Sequence, residues 1–349
     1  MKLPNWIVTL CGAFAVILLS AAVALTSDAW LGPPDANAEA RWRDGAARHQ
    51  SPASVGGYVP QAGQSLSGVV PAQAHLYLLD DDNGLWFRAG CGGRLFKLGR
   101  VRGVDGLLIG IDYRPANGLL YGLSERGQFY VIYGLYASPV IDQQGNNAPA
   151  VPFTGGLQSL MDFNPVLDAV RLIASDDQNY AVVNNFAANA RQTDITYAAG
   201  DVNAGRNPSL VGGAYTNSYR ITPQRPTPAV TLFFGLDYST DTLIYIAPAA
   251  PGGSSATGGG RLQTIGALLA LNGARRLDIT PLADCDIYSD AGGNHLVGVT
   301  GRVLFALDLD TLTLPPLGQS QNVAVRSAIL PTGGFIDIAV SLWPAGCGS

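Results

Sequence analysis

The sequence predicts an all-β protein built as a β-propeller, and three observations carry this prediction. The chain of 349 residues contains only two Lys and two Glu, which are the residues that usually cover solvent-facing helices. It contains 43 Gly and 22 Pro, so turns are frequent. Short apolar segments recur at a nearly constant interval, as in a repeated blade. We expect about six blades (five to seven), preceded by one N-terminal transmembrane helix and an extended tether.

Charge excludes several classes of protein. Only 13% of residues are charged, and the formal net charge is −5. A basic surface is the electrostatic signature of proteins that bind nucleic acid, so no nucleic-acid partner is expected. The scarcity of Lys and Glu also argues against coiled coils and helical bundles.

The first segment, residues 1–26, is predicted to be a membrane anchor or uncleaved signal helix. Residues 6–25 contain no charged side chain and are numerous enough to cross a bilayer as a helix. Lys2 precedes them, which places the following body on the periplasmic side of a bacterial inner membrane. The alternative is a secreted protein, cleaved after Ala38 within Ala36-Asn37-Ala38. The anchor is expected to contact lipid through Trp6, Ile7, Phe14, Ile17, Leu18 and Leu25.

The second segment, residues 27–74, is rich in Pro, Gly and Ala and predicts an extended tether. Arg41, Arg43 and Arg48 form a basic cluster within it. Two interpretations stand for this cluster: a solvated linker, or an arm that becomes ordered on a partner.

The third segment, residues 75–349, carries the repeat and predicts the propeller domain. Apolar strands run into Asp112, Asp162 and Asp237, and weaker copies contain Asp286 and Asp337. The spacings of these aspartates are 50, 75, 49 and 51 residues, close to the length of a propeller blade. The longest interval leaves room for a diverged blade around residues 211–219. A strand pattern at 335–343 lacks a hairpin partner, so we expect it to pair with residues 75–79 and close the ring.

Two groups of oxygen side chains are candidates for metal binding. The repeated aspartates either cap the turns that follow them or face the central channel as ligands of a cation. Asp201, Asn203 and Asn207 alternate in a pattern similar to a calcium loop, although a loop held by its own hydrogen bonds is the alternative. No cofactor is expected apart from this calcium alternative.

Cysteine and histidine positions indicate no catalytic centre. Cys91 and Cys347 are the candidate disulfide, because that bond would tie the first blade to the C-terminus. The histidines stand in no motif of a nucleophilic or zinc enzyme. We therefore expect a protein without enzymatic activity.

Three stretches resemble the bacterial domain of unknown function 4394 family, over about residues 75–320. They are 197–217, the unit Leu-Ile-Gly-Ile-Asp-Tyr-Arg-Pro at 108–115, and the unit Met-Asp-Phe-Asn-Pro at 161–165. The resemblance implies a propeller-type β protein of the exported compartment, with no assigned activity or cofactor.

These observations favour a non-catalytic propeller, tethered to the membrane, that serves as an accessory or scaffold subunit of a larger membrane complex, for example respiratory or photosynthetic. Its expected partners are the membrane and other protein subunits. The alternatives are a secreted module that binds a ligand or the envelope, and a metal-dependent propeller hydrolase.

Overall fold

The structure is a computed structural model that describes residues 66–90, 94–141, 145–248, 253–255, 260–270 and 274–342. The first strands are β1 (Ala74–Asp80), β2 (Gly84–Arg88), β3 (Phe96–Arg100), β4 (Leu108–Tyr113), β5 (Leu120–Ser124), β6 (Phe129–Tyr133), β7 (Tyr136–Pro139), β8 (Ser159–Asn164), β9 (Ala169–Ala174), β10 (Asn179–Val183), β11 (Ala188–Arg191) and β12 (Thr196–Tyr197). The others are β13 (Leu210–Tyr215), β14 (Phe233–Asp237), β15 (Thr242–Ile246), β16 (Arg261–Gly266), β17 (Leu268–Leu269), β18 (Arg275–Arg276), β19 (Asp284–Ser289), β20 (Asn294–Thr300), β21 (Val303–Asp308), β22 (Val323–Ala324), β23 (Arg326–Ile329) and β24 (Phe335–Leu342). Two 3-10 helices occupy Leu66–Gly68 and Leu309–Thr311.

These strands form six sheets arranged as a β-propeller, so the predicted all-β fold of about six blades is confirmed. Five sheets reach the axis, and their strand orders from the inside outwards are β24-β1-β2-β3, β4-β5-β6-β7, β8-β9-β10-β11, β13-β14-β15-β16-β12 and β19-β20-β21-β23. Their innermost strands contact one another in the cyclic order β24, β4, β8, β13, β19. The sixth sheet, β18-β17-β22, is short and joins the outer parts of two neighbouring blades.

The ring closes where the sequence predicted it. β24, the last strand of the described chain, pairs antiparallel with β1 in a register that sets Leu76 opposite Val340. Each blade alone leaves an apolar face uncovered, and stacking around the axis buries these faces between neighbours. Phe335, Leu78 and Leu304 belong to one such buried cluster. The first and last strands of the described chain thereby belong to a single blade.

Hairpin turns between the strands use residues that tolerate positive φ. Asn83 (φ 57°) connects β1 to β2, and Gly127 (φ 77°) connects β5 to β6. Gly127 is required for a second reason, because a Cβ at this position would overlap the carbonyl oxygen of Val151. At Gly127, both the backbone conformation of the turn and the packing against Val151 therefore require glycine.

The predicted tether and anchor fall mostly outside the described residues. Residues 1–65, with all six anchor side chains and with Arg41, Arg43 and Arg48, are not described, and neither are Cys91 and Cys347. Within the part of the chain that is described, no helix is long and apolar enough to cross a membrane. The last part of the predicted tether packs onto the propeller, because Val69 and Val70 are buried.

The expectation of a diverged blade around residues 211–219 is wrong. β13 occupies this stretch and is the innermost strand of an ordinary blade, paired with β14. Asp162 and Asp237 are 75 residues apart because Asp237 lies on β14, the second strand of its blade, after the long connection that follows β13.

Candidate functional site at the propeller axis

Five aspartates on four blades meet at the propeller axis and are called here the axial cluster. They are Asp112 on β4, Asp162 on β8, Asp284 and Asp286 on β19, and Asp337 on β24, which together span four inner strands. Each is at most 4% exposed. One carboxylate oxygen each of Asp112, Asp162 and Asp286 lies within 4.8 Å of the other two. Side chains from separate blades approach this closely only where the inner strands converge.

The cluster connects three pairs of neighbouring inner strands around the ring. Four hydrogen bonds run from a backbone N–H to a carboxylate of the preceding strand: Phe163 to Asp112 at 2.8 Å, Tyr215 to Asp162 at 3.0 Å, Ile338 to Asp284 at 3.1 Å, and Val340 to Asp286 at 2.6 Å. Each of these bonds pairs a buried backbone donor with a buried carboxyl oxygen, and such groups cost free energy when they are left unpaired. The aspartates are therefore structural connections between blades rather than only caps of their own turns.

Glycines on β13 make room for this arrangement. β13 has Gly212 and Gly213 at its centre and no aspartate. A Cβ on Gly212 would lie 2.6 Å from the Cα of Asp284 on the next strand, closer than packed atoms allow. Small residues on this strand thus let β19 approach the axis closely.

Burial raises the pKa of every member of the cluster, and repulsion by neighbouring carboxylates raises the pKa of four of them further. For Asp112 and Asp162, burial raises the pKa most, and the neighbouring carboxylates raise it further. Burial raises the pKa of Asp286 to about 7, against the opposing effect of the amides of Val340 and Ile287. Burial likewise raises the pKa values of Asp284 and Asp337 well above the usual range. Ionising all five of these carboxyl groups at once therefore costs free energy.

Asp337 is the least satisfied member of the cluster. It is fully buried, and neither of its carboxylate oxygens has a hydrogen-bond partner among the described residues. The Ile111 amide on β4 lowers the pKa of Asp337 in part, but it lies outside hydrogen-bonding geometry. No salt bridge joins any member of the cluster to a Lys or Arg in the described part of the chain. The axis therefore holds buried acidic oxygens in excess of their protein donors.

A cavity of about 200 Å³ opens at the end of the inner strands and is called here the mouth cavity. Its walls include the ends of β4, β19 and β24 and the segment that follows β13. The lining side chains that carry charge are Arg114, Arg220 and Arg225. Tyr113 and Val340 also line it, and their amides donate to Asp112 and Asp286. The axial cluster therefore lies directly beneath the floor of the mouth cavity.

The three arginines of the mouth cavity differ in how their charge is balanced. Arg114 forms a bidentate ion pair with Asp168, at 2.8 and 2.5 Å. Arg225 stacks on the Tyr219 ring with its guanidinium carbon 3.5 Å from the ring centre. It donates to the backbone carbonyls of residues 289 and 290, and no carboxylate pairs with it in the described chain. Arg220 is exposed and also has no ion pair there. Two cations of this cavity thus lack a carboxylate partner among the residues that the structure describes.

The sequence-predicted calcium loop is held by its own hydrogen bonds. Asp201 accepts hydrogen bonds from the Thr264 amide and hydroxyl and from the Asn203 amide. The Asn203 side chain donates to Thr264 and accepts from Arg206. Asn207 is exposed. The structure therefore brings Asp201 and Asn203 together around Thr264.

Of the five repeated aspartates, the structure places four at the axis. Asp237 lies instead on β14, the second strand of its blade, where it accepts hydrogen bonds from the amides of Ser209 and Ser239. It caps the turn that follows it, as one of the two interpretations expected. Cys285 is buried as a free thiol between two cluster aspartates, and burial raises its pKa well above the usual range.

Sequence reasoning missed Asp284, Arg220 and Arg225. Asp284 precedes Asp286 by two residues, and the alternation of side chains along a strand puts both on one face. That signal was present in the sequence. The two arginines lie in the long connection between β13 and β14, whose position no sequence pattern indicates.

The fold and site define a class of protein: an all-β propeller with acidic side chains on its axis and a basic cavity above them. The chain belongs to the DUF4394 family, a domain of unknown function, whose model matches residues 85–327. The predicted resemblance to this family is confirmed. No curated protein matches the chain.

Solved structures match the chain at low identity. A protein of unknown function from Bacteroides thetaiotaomicron is 12% identical with a TM-score of 0.42, over 77% of this chain and 62% of the other. A candidate gluconolactonase is 11% identical with a TM-score of 0.37, over 80% of this chain and 89% of the other. The Malassezia sympodialis allergen Mala s 1 is 8% identical with a TM-score of 0.39, over 74% and 77%.

Proposed function

We propose that this chain is a non-catalytic binding propeller that holds a small ligand with an anionic oxygen group, a carboxylate or a phosphate, in the mouth cavity. The main observation in support is that Arg220 and Arg225 line this cavity without a carboxylate partner among the described residues. This proposal takes up the ligand-binding alternative of the sequence interpretation.

The chemistry of the cavity wall supports an anionic ligand. The planar guanidinium of Arg225 is held in place by the Tyr219 ring and by two backbone carbonyls, so little conformational entropy is lost when it binds a carboxylate or phosphate. Ser218 and Ser341 add hydroxyl groups to the same wall. The raised pKa values of the axial cluster reduce the negative charge beneath the floor.

Binding of two probe anions, citrate and inorganic phosphate, tests this proposal. Isothermal titration of the full chain at low salt is expected to show saturable binding of at least one probe. Arg225→Gln is expected to weaken that binding about tenfold or more, because a charge-assisted hydrogen bond contributes about 1.5–3 kcal/mol. Arg275→Gln, on exposed β18 away from the cavity, is the matched control and is expected to bind normally. Equal losses in both variants, or no binding to the folded wild type, would refute the proposal.

The absence of enzymatic activity is part of the same proposal. His75 and His295, the two histidines in the described residues, do not line the mouth cavity. His295 stacks on Tyr288 and contacts Asp290 at 3.1 Å and Asp308 at 3.5 Å. A hydrolase would require a base next to the ligand. The hydrolase alternative would gain support if Arg225→Gln removed a measurable esterase or lactonase activity of the wild type.

A scaffold role in a membrane complex is the second candidate, and one surface observation favours it. Tyr133, Tyr136 and Ile141 are each more than half exposed at the outer edge of the β4–β7 blade. Exposed aromatic side chains are typical of protein interfaces. In this candidate, residues 1–26 anchor the chain on the periplasmic side of the inner membrane. Native gels after gentle detergent extraction test it: co-migration with other subunits supports the scaffold role, and a free monomer contradicts it.

A further inference from the structure

We propose that the axial cluster binds one divalent cation of the calcium class, with Asp112, Asp162 and Asp286 as its ligands from three different blades. This site is separate from the mouth cavity and from the Asp201 loop, and it does not depend on the proposed anion binding.

The spacing of the three carboxylates fits a calcium ion. Calcium binds oxygen ligands at about 2.3–2.6 Å, so ligands on opposite sides of the ion lie about 5 Å apart. The three candidate oxygens are all within 4.8 Å of one another before any ion is present. Magnesium prefers shorter bonds and a stricter octahedron, and it retains its water more strongly. A separation of up to 4.8 Å accommodates calcium, whose coordination geometry is the more flexible of the two.

The unpartnered side chain of Asp337 is an independent sign that the axis needs a positive ligand. Its two carboxylate oxygens are buried without a hydrogen-bond partner among the described residues. Its charge interacts with Asp284, Asp112 and Asp286, so it lies beside the three-ligand group. A buried polar group without a partner costs about 1–3 kcal/mol, and more when it is charged. A divalent cation, with its bound water, offers these oxygens both charge and hydrogen-bond donors.

The existing hydrogen bonds leave the carboxylates able to coordinate. Asp112 and Asp286 each accept one amide per oxygen, and a carboxylate oxygen has a second lone pair for a cation. The Tyr215 amide binds Asp162 through Oδ2, one of its two carboxylate oxygens. These amides also fix the carboxylates in position, as groups around a metal's ligands commonly do.

Such an ion would hold blades of the propeller together at the axis. Asp112, Asp162 and Asp286 come from three of the five blades that reach the axis, so one ion would connect blades that lie far apart in sequence. Because the ion binds only the folded ring, it stabilises the propeller in proportion to the logarithm of its concentration.

Calcium titration of the full chain, freed of metal with a chelator, tests the proposal. Isothermal titration with calcium chloride alone is expected to show one site, with weaker binding of magnesium. Asp162→Asn is expected to weaken calcium binding by more than about tenfold. Asp201→Asn, in the loop that the sequence singled out, is the matched control and is expected to leave calcium binding unchanged. The reverse pattern, or no calcium binding to folded wild type at millimolar concentration, overturns the proposal.

A second measurement on the wild type covers the case in which Asp162→Asn does not fold. Because calcium is expected to bind only the folded ring, thermal melts of the wild type at increasing calcium chloride concentration are expected to show a rising melting temperature. A melting temperature that millimolar calcium leaves unchanged, or a rise that Asp201→Asn abolishes, overturns the axial site. Neither measurement requires an anion in the mouth cavity, so failure of the anion proposal leaves this test intact.

Discussion

The axial cluster makes the stability of the metal-free protein fall as pH rises, and this is the sharpest prediction. An aspartate has a pKa of 3.8 in the unfolded chain, whereas burial raises the pKa of Asp286 to about 7 in the folded one. Between these two values the folded protein retains a proton that the unfolded chain has released. Stability is therefore complete at low pH within this window and is lost as pH rises toward 7.

The size of the effect follows from the same shift. One pKa unit corresponds to 1.36 kcal/mol, so the rise at Asp286 corresponds to about 4 kcal/mol lost between pH 4 and pH 7. The pKa values of the other four cluster aspartates are shifted in the same direction. A domain typically has only about 5–15 kcal/mol of stability, so such a loss is readily measured.

Urea unfolding at a series of pH values from 4.5 to 8, followed by tryptophan fluorescence, measures this loss. Trp86 packs edge-on against Phe335, across the closing blade, and is expected to report on it. With chelator present, the free energy of unfolding should fall with pH, and Asp286→Asn should reduce the slope. Saturating calcium should flatten or reverse the slope. A wild-type stability that stays level or increases between pH 4.5 and 7 without calcium would refute the reasoning.

Two further predictions concern the scaffold itself. Gly127→Ala is expected to lower the free energy of unfolding by about 2–3 kcal/mol, because the position has φ 77° and the new methyl group meets the Val151 carbonyl. Gly134→Ala is the control, since it is also at positive φ but has open space around it, and it should lower the free energy of unfolding less. Equal losses of stability in thermal melts would contradict the steric argument. Truncation after Gly334 removes β24 and is expected to abolish cooperative unfolding, because β1 then loses its inner partner strand and the ring opens. A truncated chain that melts like the full chain would show that pairing of β24 with β1 is not needed.

The sequence predicted the propeller because the repeat reflects a physical requirement. Asp112 and Asp162 follow the same apolar strand pattern at the same position of successive blades, and their axial location follows from that register. Asp237 has the same local pattern but stands on the second strand of its blade. Any strand that ends in a turn favours Asp, so local sequence does not distinguish an inner strand from its neighbour.

The mouth cavity was harder to predict than the axis. Arg220 and Arg225 lie in a connection between β13 and β14 that has no periodic pattern. Their placement depends on tertiary contacts, such as the hydrogen bonds of Arg225 to carbonyls near the end of β19. Loops of this kind often carry function, because the rigid strands hold their ends in place.

A crystal structure of the protein soaked with citrate tests the proposed function most directly. The account predicts difference density for a citrate carboxylate in the mouth cavity, within hydrogen-bonding distance of the Arg225 guanidinium. It also predicts that crystals of Arg225→Gln soaked in parallel lack this density. Citrate bound elsewhere while the mouth cavity holds only water, or density that persists in the variant, would contradict it.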